Sequence, residues 1–426
     1  MKINRSARAI ALLAAASFAL TACSSGDDSA APEDGASAAP ADLKVWFMDG
    51  SVPDDAQAWL KTEFEKEHEG STLTIEIQQW DGIVEKIQTA MTSESQTPDI
   101  VEVGNTQSPT YTAVGAFSEL TDEVDALGGD DLIQSFIAAG SVGDKAYTLP
   151  FYGGSRIFYY DKDTFAKAGV EVPTSLDEFN EVAKTLTEKN PNKVDGFKGA
   201  YIAGVDQHTL EGWLYTHGGQ YAVQDGDEWV GNLESPESQE ALEQVSDLFA
   251  GSVLGAEDSV AAAQEPWNDF NEGSVAMFSG LTWAEPNISA DIDYGVFALP
   301  GIEAGTLGKT FAGGSNIGIA AKSKNQALAN DVLELLFSED FQVMMAQNGW
   351  VPGNTTYADA QGTAPNAKLL ADVAANSQLT PAAQNWALVE GANLDKDFWK
   401  AIATGADPAA TAKEYDAKMV ELLNKK

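Results

Sequence analysis

The stretch from Leu43 to Val103 alternates two hydrophobic periods, and that alternation limits the open folds more than any other feature. Leu43 to Met48 (LKVWFM) is a β-rich run. From Pro53 to Glu69, the residues Ala56, Trp59, Leu60 and Phe64 recur at helical spacing, with Gly70 at the stop. Thr72 to Ile77 alternates as a strand, Ile83, Ile87, Ala90 and Met91 mark a second helical face, and Asp99 to Val103 is a third strand opened by Pro98. Strand, helix, strand, helix, strand predicts an α/β fold whose sheet is parallel with right-handed crossovers. Ligands of such sheets sit at the C-terminal ends of the strands. Those ends are Asp49-Gly50-Ser51, Gln79-Trp80-Asp81 and Gly104-Asn105-Thr106-Gln107. At 426 residues the chain exceeds one typical core, which predicts two lobes.

The first residues are read as a processing signal. Lys2, Arg5 and Arg8 precede the apolar run Ala9 to Leu20. That run is 12 residues, against the about 20 needed to span a bilayer, and it has signal-peptide proportions. Leu20-Thr21-Ala22-Cys23 follows and resembles the bacterial lipobox, which implies lipidation of Cys23. Cys23 is the only cysteine, so no disulfide, thiolate metal site or cysteine nucleophile is available beyond it. Ser24 to Ala41 has no aromatic and no large aliphatic residue and is expected to be a flexible tether. The 25 basic and 65 acidic side chains give a net charge of −40, and loss of residues 1–22 takes it to −43. Binding to a nucleic acid over a large face needs clustered Lys and Arg and is excluded. Such a charge favours a soluble monomer, and a salt-adapted host would also produce it. Hydrophobic content of 44% excludes global disorder.

Several ordered stretches resemble the extracellular solute-binding proteins of ABC sugar importers, in the branch that includes the maltose-binding proteins. They are Pro98-Asp99-Ile100-Val101 with Asn105, Gly115 to Thr121, Tyr147 to Pro150, Tyr159 to Phe165, Phe270 to Met277, Trp283, Leu299-Pro300-Gly301, Gly313 to Asn316, and Gly349 to Pro352. Glu102 to Gln107 and Pro381 through Glu390 are similar to the lipoproteins that feed the chitin disaccharide to Gram-positive importers. The resemblance implies a two-lobed periplasmic-binding-protein-like fold with a parallel-rich sheet in each lobe. It implies three hinge crossings, near Pro150 to Ser155, Leu299 to Phe311 and Ser338 to Trp350. The expected division is 1–22 signal, 23–41 lipidated cysteine and tether, 42–150 plus 303–337 the first lobe, and 151–302 plus 338–426 the second. The implied partners are a di- or oligosaccharide, the permease subunits and a lipid anchor on the extracytoplasmic face of the cell membrane, with no cofactor.

Sugars present flat CH faces and equatorial hydroxyls, which aromatic rings and carboxylates or amides bind. Ten tryptophans are available. Trp46, Trp59 and Trp399 read as core. Trp80 ends a strand and stands between core and cleft, as does Trp350 beside the third crossing. Trp283 matches the family's sugar-stacking position. Trp267, in a loop without helical periodicity, and Trp386, in the family's C-terminal ligand loop, also lean to the site. Arg156, the only arginine after residue 22, follows Tyr152 in the first crossing and is either a structural ion pair or a bidentate donor to ligand. Asp49 and Asn105 at strand ends are turn residues or hydroxyl contacts, and family position favours contact for Asn105. Asp206 and His208 lie where the family places second-lobe contacts. Three dispersed histidines make no zinc pattern. No nucleophile elbow, P-loop or His-Glu-x-x-His appears, so an enzyme is not expected. The alternatives are a secreted glycan-acting hydrolase, which needs two carboxyls about 5–9 Å apart, a lectin-like adhesin, and a receptor for a peptide, a polyamine or another small solute.

Overall fold

A computed structural model describes residues 39–425 except 81, 94, 155, 227 and 362–365. Cys23, the signal and most of the tether lie outside the described residues. The predicted N-terminal unit is present. The strand Asp42–Met48 pairs in parallel with Thr72–Gln78 and with Ile100–Gly104, and the helices Asp54–Glu67 and Ile83–Thr92 form the crossovers. Ala56, Leu60 and Phe64 form the buried stripe of the first helix, as their spacing requires. Trp46 and Met48 pack with Ile83, Ile87, Val101 and Val103, so one face of the central strands is covered by the apolar stripe of the second helix.

Two sheets carry the fold. The first has the strand order Val351–Pro352, Leu149–Gly154, Gly313–Ile319, Ile100–Gly104, Asp42–Met48, Thr72–Gln78. The second runs Val253–Leu254, Lys198–Tyr201, Val275–Gly280, Ile157–Asp161, Tyr294–Phe297. Both are mixed rather than parallel-rich. Gly313–Ile319 lies antiparallel to Ile100–Gly104 and to Leu149–Gly154, because the chain returns from the second sheet in the opposite sense. Ile157–Asp161 is likewise antiparallel to both of its neighbours. Along that strand Phe158 enters one core cluster and Ile157 and Tyr159 the other, the two-residue period of a sheet buried on both faces.

The chain passes between the sheets at Gly154 to Ile157 and again between Phe297 and Gly313. The stretch 338–352, expected with the second lobe, instead stays with the first sheet. Phe341 is fully buried with its ring 6.1 Å from that of Phe151 and 6.2 Å from Trp59, and Val351 pairs with Gly153. The third passage therefore follows Pro352. Beyond it, Trp386, Phe398, Trp399 and Met419 join the core cluster of the second sheet. Gly314 has φ +146°, and a Cβ there would meet the Tyr152 carbonyl at 2.2 Å, so only glycine fits where the returning strand enters the first sheet.

Candidate functional site

Three groups of side chains join the links to the sheets. The first begins at Arg156, between the strands Leu149–Gly154 and Ile157–Asp161. Its Nη2 lies 2.9 Å from Oδ1 of Asp206. Asp206 caps the helix Gln207–Thr216: its carboxylate accepts from the Thr209 backbone N–H at 3.4 Å and from the Thr209 hydroxyl at 2.7 Å. The Thr209 hydroxyl also meets Ser279 Oγ at 2.7 Å, which fixes the helix start to the strand Val275–Gly280. The His208 ring stacks on Phe311, in the second link, with centroids 3.9 Å apart, and its Nδ1 is 3.1 Å from Oε2 of Glu211. Burial, then the Arg156 charge, pushes His208 down to about 4, so the ring is neutral at pH 7. Burial raises the fully enclosed Glu211 carboxyl well above the usual range, although the Tyr221 hydroxyl donates to it at 2.9 Å.

The second group surrounds Tyr152. Its hydroxyl donates to Glu102 at 2.8 Å and accepts from Ser315 at 3.0 Å, and its ring centroid is 4.5 Å from that of Trp350. Glu102, fully buried in the strand Ile100–Gly104, accepts further bonds from the Met48 N–H at 2.8 Å and Ser51 Oγ at 2.6 Å. Burial raises its carboxyl against the lowering effect of these donors. The Thr282 hydroxyl donates to the Gly349 carbonyl at 2.5 Å, which brings the end of the strand Val275–Gly280 to the turn before Trp350. Trp283 is the next residue, in the 3-10 segment Thr282–Asn287, and its side chain lies outside the described set.

The third group lies at the end of the strand Ile100–Gly104. Trp80 is 37% exposed, and a Cβ on Gly104 would sit 3.6 Å from its Cζ3 and 3.6 Å from Gln107 Cδ. Both side chains therefore stand over Gly104, where a Cβ would make ordinary contact with each. Thr106 and Gln107 face the Glu390 carboxyl, whose Oε1 accepts from Trp386 Nε1 at 3.1 Å. The motifs 102–107 and 381–390, far apart in sequence, meet here.

Other site expectations fall elsewhere. Trp386 is fully buried in the core of the second sheet, 5.2 Å from the Tyr221 ring, and presents no face to solvent. Asn105 is 2% exposed and its side-chain amide donates to the Ala312 carbonyl at 2.6 Å, so it is a latch between strands. Trp267 opens the short helix Trp267–Asn271 rather than lying in a loop, and packs half-buried beside the cluster of Ile157, Tyr159 and Phe278. Asp49 is an exposed turn residue whose N–H donates to the Gln78 carbonyl at 2.7 Å. Arg156 and Asp206 meet each other, the ion-pair reading of Arg156. Sequence reasoning gave no role to Glu102, Gln107, Phe311 or Glu390. A lone carboxylate inside the apolar run DIVEV was the one available signal, for Glu102. Among the described residues, no group of three or more His, Cys, Asp or Glu is placed to hold a metal.

A sequence profile described as "bacterial extracellular solute-binding protein" matches residues 49–343. The diacetylchitobiose binding protein DasA of Streptomyces coelicolor is 33% identical over 390 residues, covering 89% of this chain and 89% of that one. The galactooligosaccharide-binding protein of Bacillus subtilis is 26% identical, covering 80% and 78%. Among solved structures, the GacH receptor of Streptomyces glaucescens, determined unliganded and with acarbose, superposes with a TM-score of 0.76 at 22% identity, covering 91% of this chain and 100% of that one. The fold is therefore that of the two-lobed binding proteins.

Proposed function

The chain belongs to the bacterial extracellular solute-binding proteins, and we propose that it captures a di- or oligosaccharide of the chitobiose type and delivers it to an ABC permease. The observation that carries this reading is the near end-to-end match to a relative that binds diacetylchitobiose. The meeting of the motifs 102–107 and 381–390 at one place in the fold supports it. The lobes of this reading are 42–154 with 313–352, and 157–297 with the C-terminal helices. Ligand sits between them and closes them by hinge motion. Trp80 and Trp283 supply stacking surfaces, whereas Tyr152 and Trp350, expected at the ligand, are enclosed and pack against each other. Arg156, Asp206 and His208 hold the links and line the second lobe's side. Cys23 carries the lipid anchor, residues 24–41 are the tether, and the protein works as a monomer at the extracytoplasmic face of the membrane without a catalytic step. No helix among the described residues is long and apolar enough to cross a membrane.

Calorimetric titration against mono- to tetrasaccharides, with product analysis of each mixture, tests the reading. Saturable binding of one sugar class without turnover is expected. Cleavage of the sugar would establish the hydrolase alternative, and binding of only peptides or amines would replace the substrate class.

A further inference from the structure

Glu390 closes a seam. Its helix, Trp386–Gly391, packs with the C-terminal helices of the second sheet's core, and it also touches the end of the first sheet. There the Ala387 N–H donates to Thr110 Oγ1 at 3.4 Å, and a Cβ on Gly391 would be 3.9 Å from Val84. One carboxylate oxygen of Glu390 is satisfied by Trp386. The other, Oε2, is buried and makes no hydrogen bond of ordinary geometry, and neither does Gln107 Oε1 across the seam, although the Thr106 and Gln107 side chains stand near enough to favour the anion in part. A buried carboxylate oxygen without a donor is costly as an anion and cheap as a neutral acid. The groups around it offer no compensating cation at contact. Thr106 and Gln107 come from the strand end, Tyr111 from the helix Ser108–Ala113, and Asp395, with Lys396 and Glu211 behind it, from the second-sheet side. The helix Ile83–Thr92 contributes Val84, and the chain end contributes the carbonyls of Leu423 and Lys425 to Asn385.

We propose that Glu390 is a proton-held latch: the seam between its helix and the strand Ile100–Gly104 closes with a proton on this carboxyl and opens when the proton leaves. The latch rests on the hinge-closing reading above. Burial, then the Asp395 charge, raises the carboxyl from its ordinary 4.5 to about 7 in the closed seam. Opening admits water and returns it towards 4.5. Closure is therefore fully favoured below about 4.5, weakens as pH rises to about 7, and is constant above that. The closing constant changes by up to about tenfold per pH unit within that window.

Small-angle scattering of the unliganded full chain between pH 4.8 and 8.5, at fixed ionic strength, tests the latch. The wild-type chain should expand with rising pH. Glu390→Gln, which keeps an acceptor for Trp386 Nε1 and cannot ionise, should stay compact throughout. Asp395→Asn, which removes the neighbouring negative charge, should move the wild-type midpoint to lower pH and keeps the test open if the first variant folds poorly. A wild-type profile independent of pH, or one that Glu390→Gln leaves unchanged, overturns the latch. Titration with diacetylchitobiose at pH 5.5 and 8 is the second arm. Expansion with pH but no sugar binding at either pH supports the latch and overturns the substrate reading. Sugar binding with pH-independent scattering overturns the latch alone.

Discussion

Arg156 Nη2 stands 2.9 Å from Asp206 Oδ1, and this contact ties the first link between the sheets to the N-terminus of the helix Gln207–Thr216. The same helix start holds the second link, through the His208 ring stacked on Phe311. One helix end thus references the first two of the three passages of the chain. The pair is mostly enclosed, the side chains being 19% and 8% exposed, so each charge depends on the other.

Asp206→Asn should lower stability by about 2–3 kcal/mol, because it strands a partly buried guanidinium while Asn still caps the helix, so the loss reads the ion pair. Urea unfolding monitored by circular dichroism reads this directly. A change below about 0.5 kcal/mol would place the pair with ordinary surface ion pairs.

Two tryptophans should separate binding from packing. Trp283→Ala is expected to weaken sugar binding by about 30-fold, ~2 kcal/mol, with the melting temperature nearly unchanged. Trp386→Ala removes a fully buried side chain and should cost ~3–5 kcal/mol of stability. A thermal melt and a titration on each variant distinguish the two. A Trp283→Ala protein that binds sugar normally would remove Trp283 from the site.

Stability should rise as pH falls from 8 to about 4. Burial raises Glu390 to about 7 and both Asp395 and Asp416 to about 6. Groups raised in this way contribute most below their ordinary values and lose that contribution as pH climbs through 6 to 7. His208, lowered to about 4, acts in the opposite sense: its contribution is complete above 6.5 and is lost as pH falls towards 4. The three raised carboxyls lose more between pH 4 and 5.5 than the one lowered imidazole gains, so on these groups urea midpoints should fall in the order pH 4, 5.5, 8. A monotonic increase from 4 to 8 would contradict this balance.

Saturating sugar should compact the chain and shift tryptophan emission, with an affinity of micromolar or tighter, about −8 kcal/mol or more favourable. Scattering curves that superpose with and without bound sugar would remove the hinge motion from the account.

Cys23→Ala should release the protein to the medium or leave an unprocessed precursor, as read by fractionation and mass spectrometry. Normal membrane retention of that variant would exclude anchoring through Cys23.

Sequence alone determined the local elements and the class. The strands and helices between 42 and 104 follow from side-chain period, which each segment carries in itself. The ordered motifs carried the family for the same reason, since they survive as a linear string. Tertiary structure decided what depends on contacts between distant segments. Helical spacing says nothing about whether Trp386 faces a cleft or the second sheet's core, and a strand-end asparagine does not reveal that Asn105 will bond to Ala312, 207 positions away. The same limit hid the destination of 338–352, where Phe341 packing and the pairing of Val351 with Gly153 settle the matter. Charge was least legible of all. Among 65 acidic side chains, Glu102, Glu211, Glu390, Asp395 and Asp416 are set apart by an enclosure that raises their carboxyls, which nothing in the sequence marks beyond the lone Glu102 in its apolar run. Burial is a property of the assembled chain, because desolvation acts through neighbours that sequence order does not specify.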